Sequence, residues 1–482
     1  YTGEDTLSLH DALPICASTG RVTAFLFRCR GVAKGNLFID KNEYYMKKSS
    51  FMRLCALMLV LYICNKAFAA FGDNNLAPIA SPALIVEKGE TNAQGKFACV
   101  NYGGNAIKSF HYRLSIDGKV LEEKEVKLAQ PIAPTDTKEL LVNVPTLKDL
   151  GDYKVTCEIT KVNGQPNTTT FSESSLNMVV LSKKPKCRVV FEDYTATWCQ
   201  YCPRATAIME YMSKKHPDDF IGIAIHSRDQ MGIENYYGAG SPVRGYPTLW
   251  ASRYSQIKDY TGEDAYDDVK NLGAVMDIEV QAEWDVRKTT ISVQSFTTFR
   301  RSLSNARYAL AYVIVEDGMQ GRSWAQANYF YGRYEYENEN SELRTFTRGG
   351  NPVYNLKYNH VARDFKGIGS GIDNSIPSRV TADKAISHKV TFSNIGTYWQ
   401  PQNKNNLHVV VLVIDRSSNY IVNAARCSIG AHGTTGVEAV NTQTERVEVA
   451  RFNLKGQRLS APEPGINVVK YNDGTVKKVL VR

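Results

Sequence analysis

The segment Thr197-Trp198-Cys199-Gln200-Tyr201-Cys202-Pro203 constrains the fold of this chain more than any other. An apolar run, Cys187 to Tyr194, leads into it. Ala205, Ile208, Met209 and Met212 then fall at helical spacing, which predicts an amphipathic helix from Pro203 to about Lys215. Proline suits the first position of such a helix. A second apolar run, Phe220 to Ile225, completes a strand, helix, strand unit. Two thiols with two residues between them can close a small disulfide ring at the helix start. Free N–H groups and a partial positive charge there favour a thiolate on Cys199, the first and more exposed thiol. Cys202, one turn inside, is then the resolving thiol that attacks a mixed disulfide.

Three further residues point to the same chemistry. Asp193 shares a strand face with Val189 and Phe191, so it is expected to point inward. A buried carboxylate beneath the pair can take the proton of Cys202; the plain alternative is a charge at a strand end. Pro247 opens an apolar strand, Thr248-Leu249-Trp250. A cis bond there would set the Tyr246 backbone beside the thiols, where it can pair with substrate backbone; an ordinary turn proline is the alternative. Trp198 is read as an apolar cap on the site, or else as a core residue. Zinc would need a second ligand pair, and the sequence has no other Cys-x-x-Cys. Covalent haem would need His where Pro203 stands. No metal and no cofactor are therefore expected. His226 reads as a local hydrogen-bonding residue, and Tyr358 to Asp364 as a polar cluster without metal-ligand spacing.

Asp193, Trp198, Cys199, Cys202, Pro203 and Pro247 resemble the thioredoxin superfamily in identity, order and spacing. The resemblance covers about residues 185–276. It implies Cys199 as nucleophile, Cys202 as resolving cysteine, Asp193 as proton relay and Pro247 as the cis-proline. Gln200-Tyr201 departs from the Gly-Pro of thioredoxin itself, which leaves the direction of reaction open.

The stretch from Met46 to Ala69 has the parts of a secretory signal: basic Lys47, Lys48 and Arg53, an apolar core from Leu54 to Cys64, and Ala67-Phe68-Ala69. The apolar core is too short to span a bilayer, and no later run is long enough either. Residues 1–45 stand before that signal, and Tyr1 to Asp5 repeats Tyr260 to Asp264 word for word. The expectation is that residues 1–45 are a chimeric extension; a genuine N-terminal extension is the alternative. The net charge of +9 contains no dense basic block, so nucleic acid is not an expected partner. A hydrophobic fraction of 43% excludes global disorder.

Six of the ten cysteines follow the signal, an even number suited to an oxidising compartment. Between residues 70 and 183, alternating segments separated by turn signals such as Asp117-Gly118 suggest a small sandwich. Cys99 and Cys157 each lie in a predicted strand there, as an inter-sheet disulfide or as two buried thiols. Cys187 and Cys427 are left over and can pair or stay free.

Residues 277–430 read as β again, with a long, polar, tyrosine-rich connection from about 317 to 390 that is expected to fold over the domain as a large loop. Glu192 to Thr195, Asn359 to Asp364 and Val422 to Ala425 are similar to the outer-membrane-protein-28-related family of Bacteroidetes. That name implies an envelope location.

The tail, 431–482, reads as three short strands. Phe452 to Leu459, Pro464 to Val468 and Lys477 to Arg482 resemble the sorting domains of type IX secretion cargo. The implication is passage across the outer membrane by that secretion machinery, to the cell surface or medium, with the periplasm as the alternative location.

The expected architecture is an α/β thioredoxin-like domain (184–276) flanked by all-β domains: an Ig-like sandwich (70–183), a second β domain (277–430) and the sorting tail. Two functions follow. One is an exported thiol–disulfide oxidoreductase whose partners are protein thiols or disulfides. The other is a surface binding or adhesion protein that uses the thioredoxin fold as a scaffold.

Overall fold

The computed structural model describes residues 73–81, 83–236, 243–397, 399–430, 448–453, 456–471 and 476–481. The signal-like stretch and residues 1–45 lie outside the described residues.

The first nine strands are β1 (Leu76–Ala80), β2 (Ala83–Glu87), β3 (Gln94–Asn101), β4 (Ile107–Ile116), β5 (Lys119–Ile132), β6 (Thr137–Asn143), β7 (Gly151–Val162), β8 (Gln165–Pro166) and β9 (Glu173–Leu181). They form a three-stranded sheet, β1-β3-β6, and a second sheet, β2-β9-β7-β4-β5, with β8 on β7. Strand β4 shows why: Phe110, Tyr112, Leu114 and Ile116 alternate inward, and the residues between them stay more exposed. One core joins the sheets through Phe97, Leu114, Ile159 and Met178. Cys99 and Cys157 are both buried in that core as free thiols, so the inter-sheet disulfide is not present. Cys187 and Cys427 are likewise free.

Strand β10 (Val189–Thr195) leads to helix α1 (Pro203–Lys215) and then to β11 (Phe220–His226). β10 and β11 pair in parallel, Asp193 opposite Ala224, which requires the crossover that α1 supplies. Ala205, Ile208, Met209 and Met212 are the buried face of α1. Burying each of the larger three contributes about 1.5–3 kcal/mol. Next come β12 (Thr248–Ala251), β13 (Ser255–Gln256), helix α2 (Glu263–Leu272), β14 (Met276–Trp284), β15 (Ile291–Phe299) and β16 (Tyr308–Glu316). The long connection holds β17 (Ala325–Gln326), 3-10 turns at Tyr334–Glu337 and Ser341–Leu343, the short helix α3 (Arg344–Thr347) and β18 (Val353–Tyr354). Strands β19 (Val361–Lys366), β20 (Ala385–Phe392), β21 (Leu407–Asp415) and β22 (Ile421–Gly430) follow.

The expectation of an α/β thioredoxin-like domain flanked by separate all-β domains is corrected here. Strands β10 to β13 do not close a sheet of their own. They are one end of an eleven-stranded sheet ordered β13-β12-β10-β11-β19-β16-β21-β22-β14-β15-β20. Helix among the described residues is confined to α1, α2, the four-residue α3 and short 3-10 turns, so the chain is predominantly β.

The physical reason lies at the edge of β11. It is fully buried and takes β19 as a parallel neighbour at Ala224–Val361, so the sheet continues rather than ending. One apolar layer then runs unbroken from Val190 and Ile223 through Val313 to Val410 and Leu412. Strands with both faces covered read as continuous apolar runs, as β16 and β21 do.

After residue 447, β23 (Glu448–Phe452), β24 (Arg458–Leu459), β25 (Gly465–Tyr471) and β26 (Val476–Val481) form a sheet ordered β24-β23-β25-β26. That is one strand more than the sequence suggests. No helix among the described residues is long and apolar enough to cross a membrane, which says nothing of a β-barrel.

Candidate functional site

Cys199 and Cys202 are joined by a disulfide, with their Cα atoms 5.4 Å apart. Cys202 is the N-cap of α1 and Pro203 its first residue, and no side chain caps that end. The turn is closed by Cys202 N–H donating to the Cys199 carbonyl at 3.3 Å. Cys199 is only 6% exposed and Cys202 fully buried. Both pack with Ala196 against Tyr246.

The Tyr246–Pro247 peptide bond is cis, and Thr248 Oγ1 closes the turn by donating to the Gly245 carbonyl at 2.7 Å. Trp198 is half exposed rather than a core residue. Its indole N–H donates to the Ser227 carbonyl at 2.9 Å. Beside Trp198 and Tyr246 lies a groove of about 610 Å³, which also carries Arg228 and Glu234.

Asp193 points from β10 toward the underside of α1. It borders a small space of about 20 Å³ together with Thr195, Thr206, Glu210 and His226. That is room for about one water molecule. Burial pushes the Asp193 carboxyl up to about 8, although the charge of Arg204 and a hydrogen bond from Thr195 act the other way. Its Oδ1 has no hydrogen-bond partner among the described residues. The walls of this space come from β10, β11, the first turns of α1 and residues 358–360, and neither sulfur lines it. The structure thus gathers Trp198, Cys199, Cys202 and Pro247 at one point, with Asp193 beneath the same helix.

Two of the remaining polar candidates have partners. His226 Nδ1 meets Asp229 Oδ2 at 2.7 Å. Burial raises the Asp229 carboxyl, but hydrogen bonds from His226 and from the N–H groups of Thr197 and Met231 outweigh it, so its pKa lies below the ordinary value. His360 Nε2 meets Ser213 Oγ of α1 at 3.0 Å, and burial pushes its imidazole down to about 4. It reaches that place because Gly222 of β11 has no side chain: a Cβ there would stand 2.8 Å from the His360 ring. No group of three or more potential metal ligands occurs among the described residues.

Sequence reasoning missed two features. The first is a buried bidentate ion pair, Glu192 with Arg253, at 2.9 and 3.0 Å; Tyr236 also donates to Glu192 at 3.0 Å. The second is the hold that the long connection takes on the cysteine loop. Ala327 N–H donates to the Thr197 carbonyl at 2.8 Å, and Tyr329 N–H to that of Gln200 at 2.8 Å. The Gln326 amide donates to the Cys199 carbonyl at 3.0 Å. No local pattern marks these contacts, because two of the donors are backbone N–H groups and the third, the Gln326 side chain, lies 127 residues along the chain from Cys199.

No family model matches the chain, and no curated protein matches it in sequence. Among solved structures it is similar to HBP35 of Porphyromonas gingivalis, at 16% identity and a TM-score of 0.37, covering 62% of this chain and 99% of that one. It is also similar to a domain of the outer membrane lipoprotein Omp28 of the same organism, at 10% identity and a TM-score of 0.19, covering 33% and 90%. A third is the CARDB domain of the PF1109 protein from Pyrococcus furiosus, at 19% identity and a TM-score of 0.19, covering 22% and 94%. At these identities and scores the likenesses carry no argument about this chain.

Proposed function

We propose that this is an exported, surface-associated protein whose β modules carry a dithiol–disulfide pair, Cys199 and Cys202, that exchanges with thiols or disulfides of other proteins. The observation behind the reading is the disulfide at the uncapped start of α1. A helix N-terminus stabilises a thiolate on Cys199 and makes its disulfide easier to open.

The exchange balances as follows. A thiolate of the partner attacks Cys199 Sγ, the Cys199–Cys202 bond breaks, and Cys202 leaves as a thiolate. Asp193, buried beneath α1 and neutral below about pH 8, is the acid assigned to supply its proton. A second partner thiol then attacks the mixed disulfide, so the pair gains two electrons and the partner becomes a disulfide. Run backward, the same steps oxidise Cys199 and Cys202.

Measuring the reduction potential of the purified chain against a glutathione buffer tests this. A value between about −120 and −270 mV belongs to working exchange proteins. A value below about −300 mV marks a structural disulfide and sinks the proposal.

A second reading is a binding or adhesion protein in which that disulfide is structural. The predominantly β architecture favours it, as does an apolar recess of about 370 Å³ on the first sandwich. Phe171 at the recess is 68% exposed. Exposed apolar patches of this kind mark interaction surfaces. The signal-like stretch before Ala69 and the tail sheet support export. Deleting residues 431–482 should hold the chain in the periplasm; unchanged surface labelling would refute a sorting role.

A further inference from the structure

Three residues of the long connection reach the cysteine loop. Ala327, Gln326 and Tyr329 donate to the carbonyl oxygens of Thr197, Cys199 and Gln200. Gln326 is the side-chain member of this set. It is 1% exposed, and its amide nitrogen also lies 3.4 Å from the Ala196 carbonyl and 3.1 Å from that of Ala327. Its Oε1 is 3.5 Å from the Tyr358 hydroxyl, which keeps the amide group oriented. A buried amide with both ends engaged is a rigid donor.

The peptide unit is planar and trans, so the C=O of one residue and the N–H of the next point in opposite directions. Fixing the carbonyls of Thr197, Cys199 and Gln200 toward the connection turns the N–H groups of Trp198, Gln200 and Tyr201 the other way. Successive N–H groups on one side of a turn form an anion-stabilising concavity.

We propose that Gln326 is a positioning residue of the dithiol. By holding the peptide unit that follows Cys199, it aims backbone N–H dipoles into the loop and favours the Cys199 thiolate. It touches no sulfur and acts only through the Cys199 and Ala196 carbonyls. This rests on the exchange reading and assigns the connection a role in setting the redox balance of that site.

The test compares wild type with Gln326→Met, which keeps the length of the side chain and removes the donor. The readouts are the pH midpoint of Cys199 alkylation in the reduced protein and the equilibrium with glutathione. In Gln326→Met the midpoint should rise by about one pH unit, because the thiolate loses support. The equilibrium constant for reduction should fall about tenfold, equal to about 30 mV.

Asn328→Leu is the structural control. Asn328 donates to the Phe346 and Gly350 carbonyls inside the connection, so its loss loosens that segment while Gln326 keeps its donor. It should shift neither readout by more than about twofold. If Gln326→Met does not fold, Gln326→Asn, too short to reach Cys199, is read in the same way.

A midpoint and an equilibrium constant within twofold of wild type overturn the proposal, and so does an equal shift in Asn328→Leu. A wild type that resists reduction sinks the exchange reading instead. The difference between variants is still measurable in that case with a stronger reductant.

Discussion

The indole of Trp198 meets the ring of Tyr246 edge-on, with centroids 5.3 Å apart and planes at 72°. Trp198 immediately precedes Cys199, and Tyr246 forms the cis bond with Pro247. The two rings therefore join the cysteine loop to the proline turn beside the groove. An aromatic pair of this geometry contributes about 0.5–1.5 kcal/mol beyond its buried area. Trp198→Ala should lower stability by about 1 kcal/mol. It should slow exchange with protein disulfides by about tenfold, while exchange with a small disulfide changes little. Equal slowing of both would show that the ring does not contact protein partners.

Asp193 has the opposite linkage to a salt-bridged carboxylate. Its folded pKa, about 8, is above the unfolded value near 3.9. Below about pH 4 both states hold the proton, and folding carries no ionisation penalty at this carboxyl. Between about pH 4 and pH 8 the unfolded state ionises first, so stability falls as pH rises. Asp193→Asn removes that slope, and its gain over wild type should grow across this window in urea melts. Release of Cys202 should slow about 100-fold, the range lost with a general acid. A stopped-flow profile that keeps an inflection near pH 8 in Asp193→Asn would remove Asp193 from the proton transfer.

Glu192 and Arg253 are both almost fully buried. Removing one partner leaves a charge in the core, which costs about 3–5 kcal/mol. Arg253→Met should lose that much in thermal melts, and Glu192→Gln combined with Arg253→Met should recover part of it. A single variant as stable as wild type would contradict the buried pairing.

Cys99 and Cys157 lie in facing sheets as thiols. Burial pushes the Cys99 thiol up to about 12 and raises that of Cys157 further. Neither should react with iodoacetamide at pH 8 in the folded protein, and both should react after unfolding. Peptide mapping of the unreduced protein should recover them as two separate peptides. A single linked peptide would show that they are oxidised in the native protein.

Helix α1 and its flanking strands were legible because apolar period and a proline at the helix start are local signals, carried by Ile208, Met209, Met212 and Pro203. The spacing of Cys199 and Cys202 likewise made their disulfide readable before any fold was known. What surrounds that unit was not legible. Strand β19 joins β11 across more than a hundred residues of chain, through backbone groups that carry no side-chain code. For that reason an apparently self-contained α/β unit is one end of an eleven-stranded sheet. Gln326 lies 127 residues from Cys199, and its donation depends on how the connection folds back over α1. The sequence by itself determined the chemistry available at Cys199 and Cys202. Only the tertiary structure decided what holds their loop and how deeply Asp193 is buried, because both depend on contacts between segments far apart in the chain.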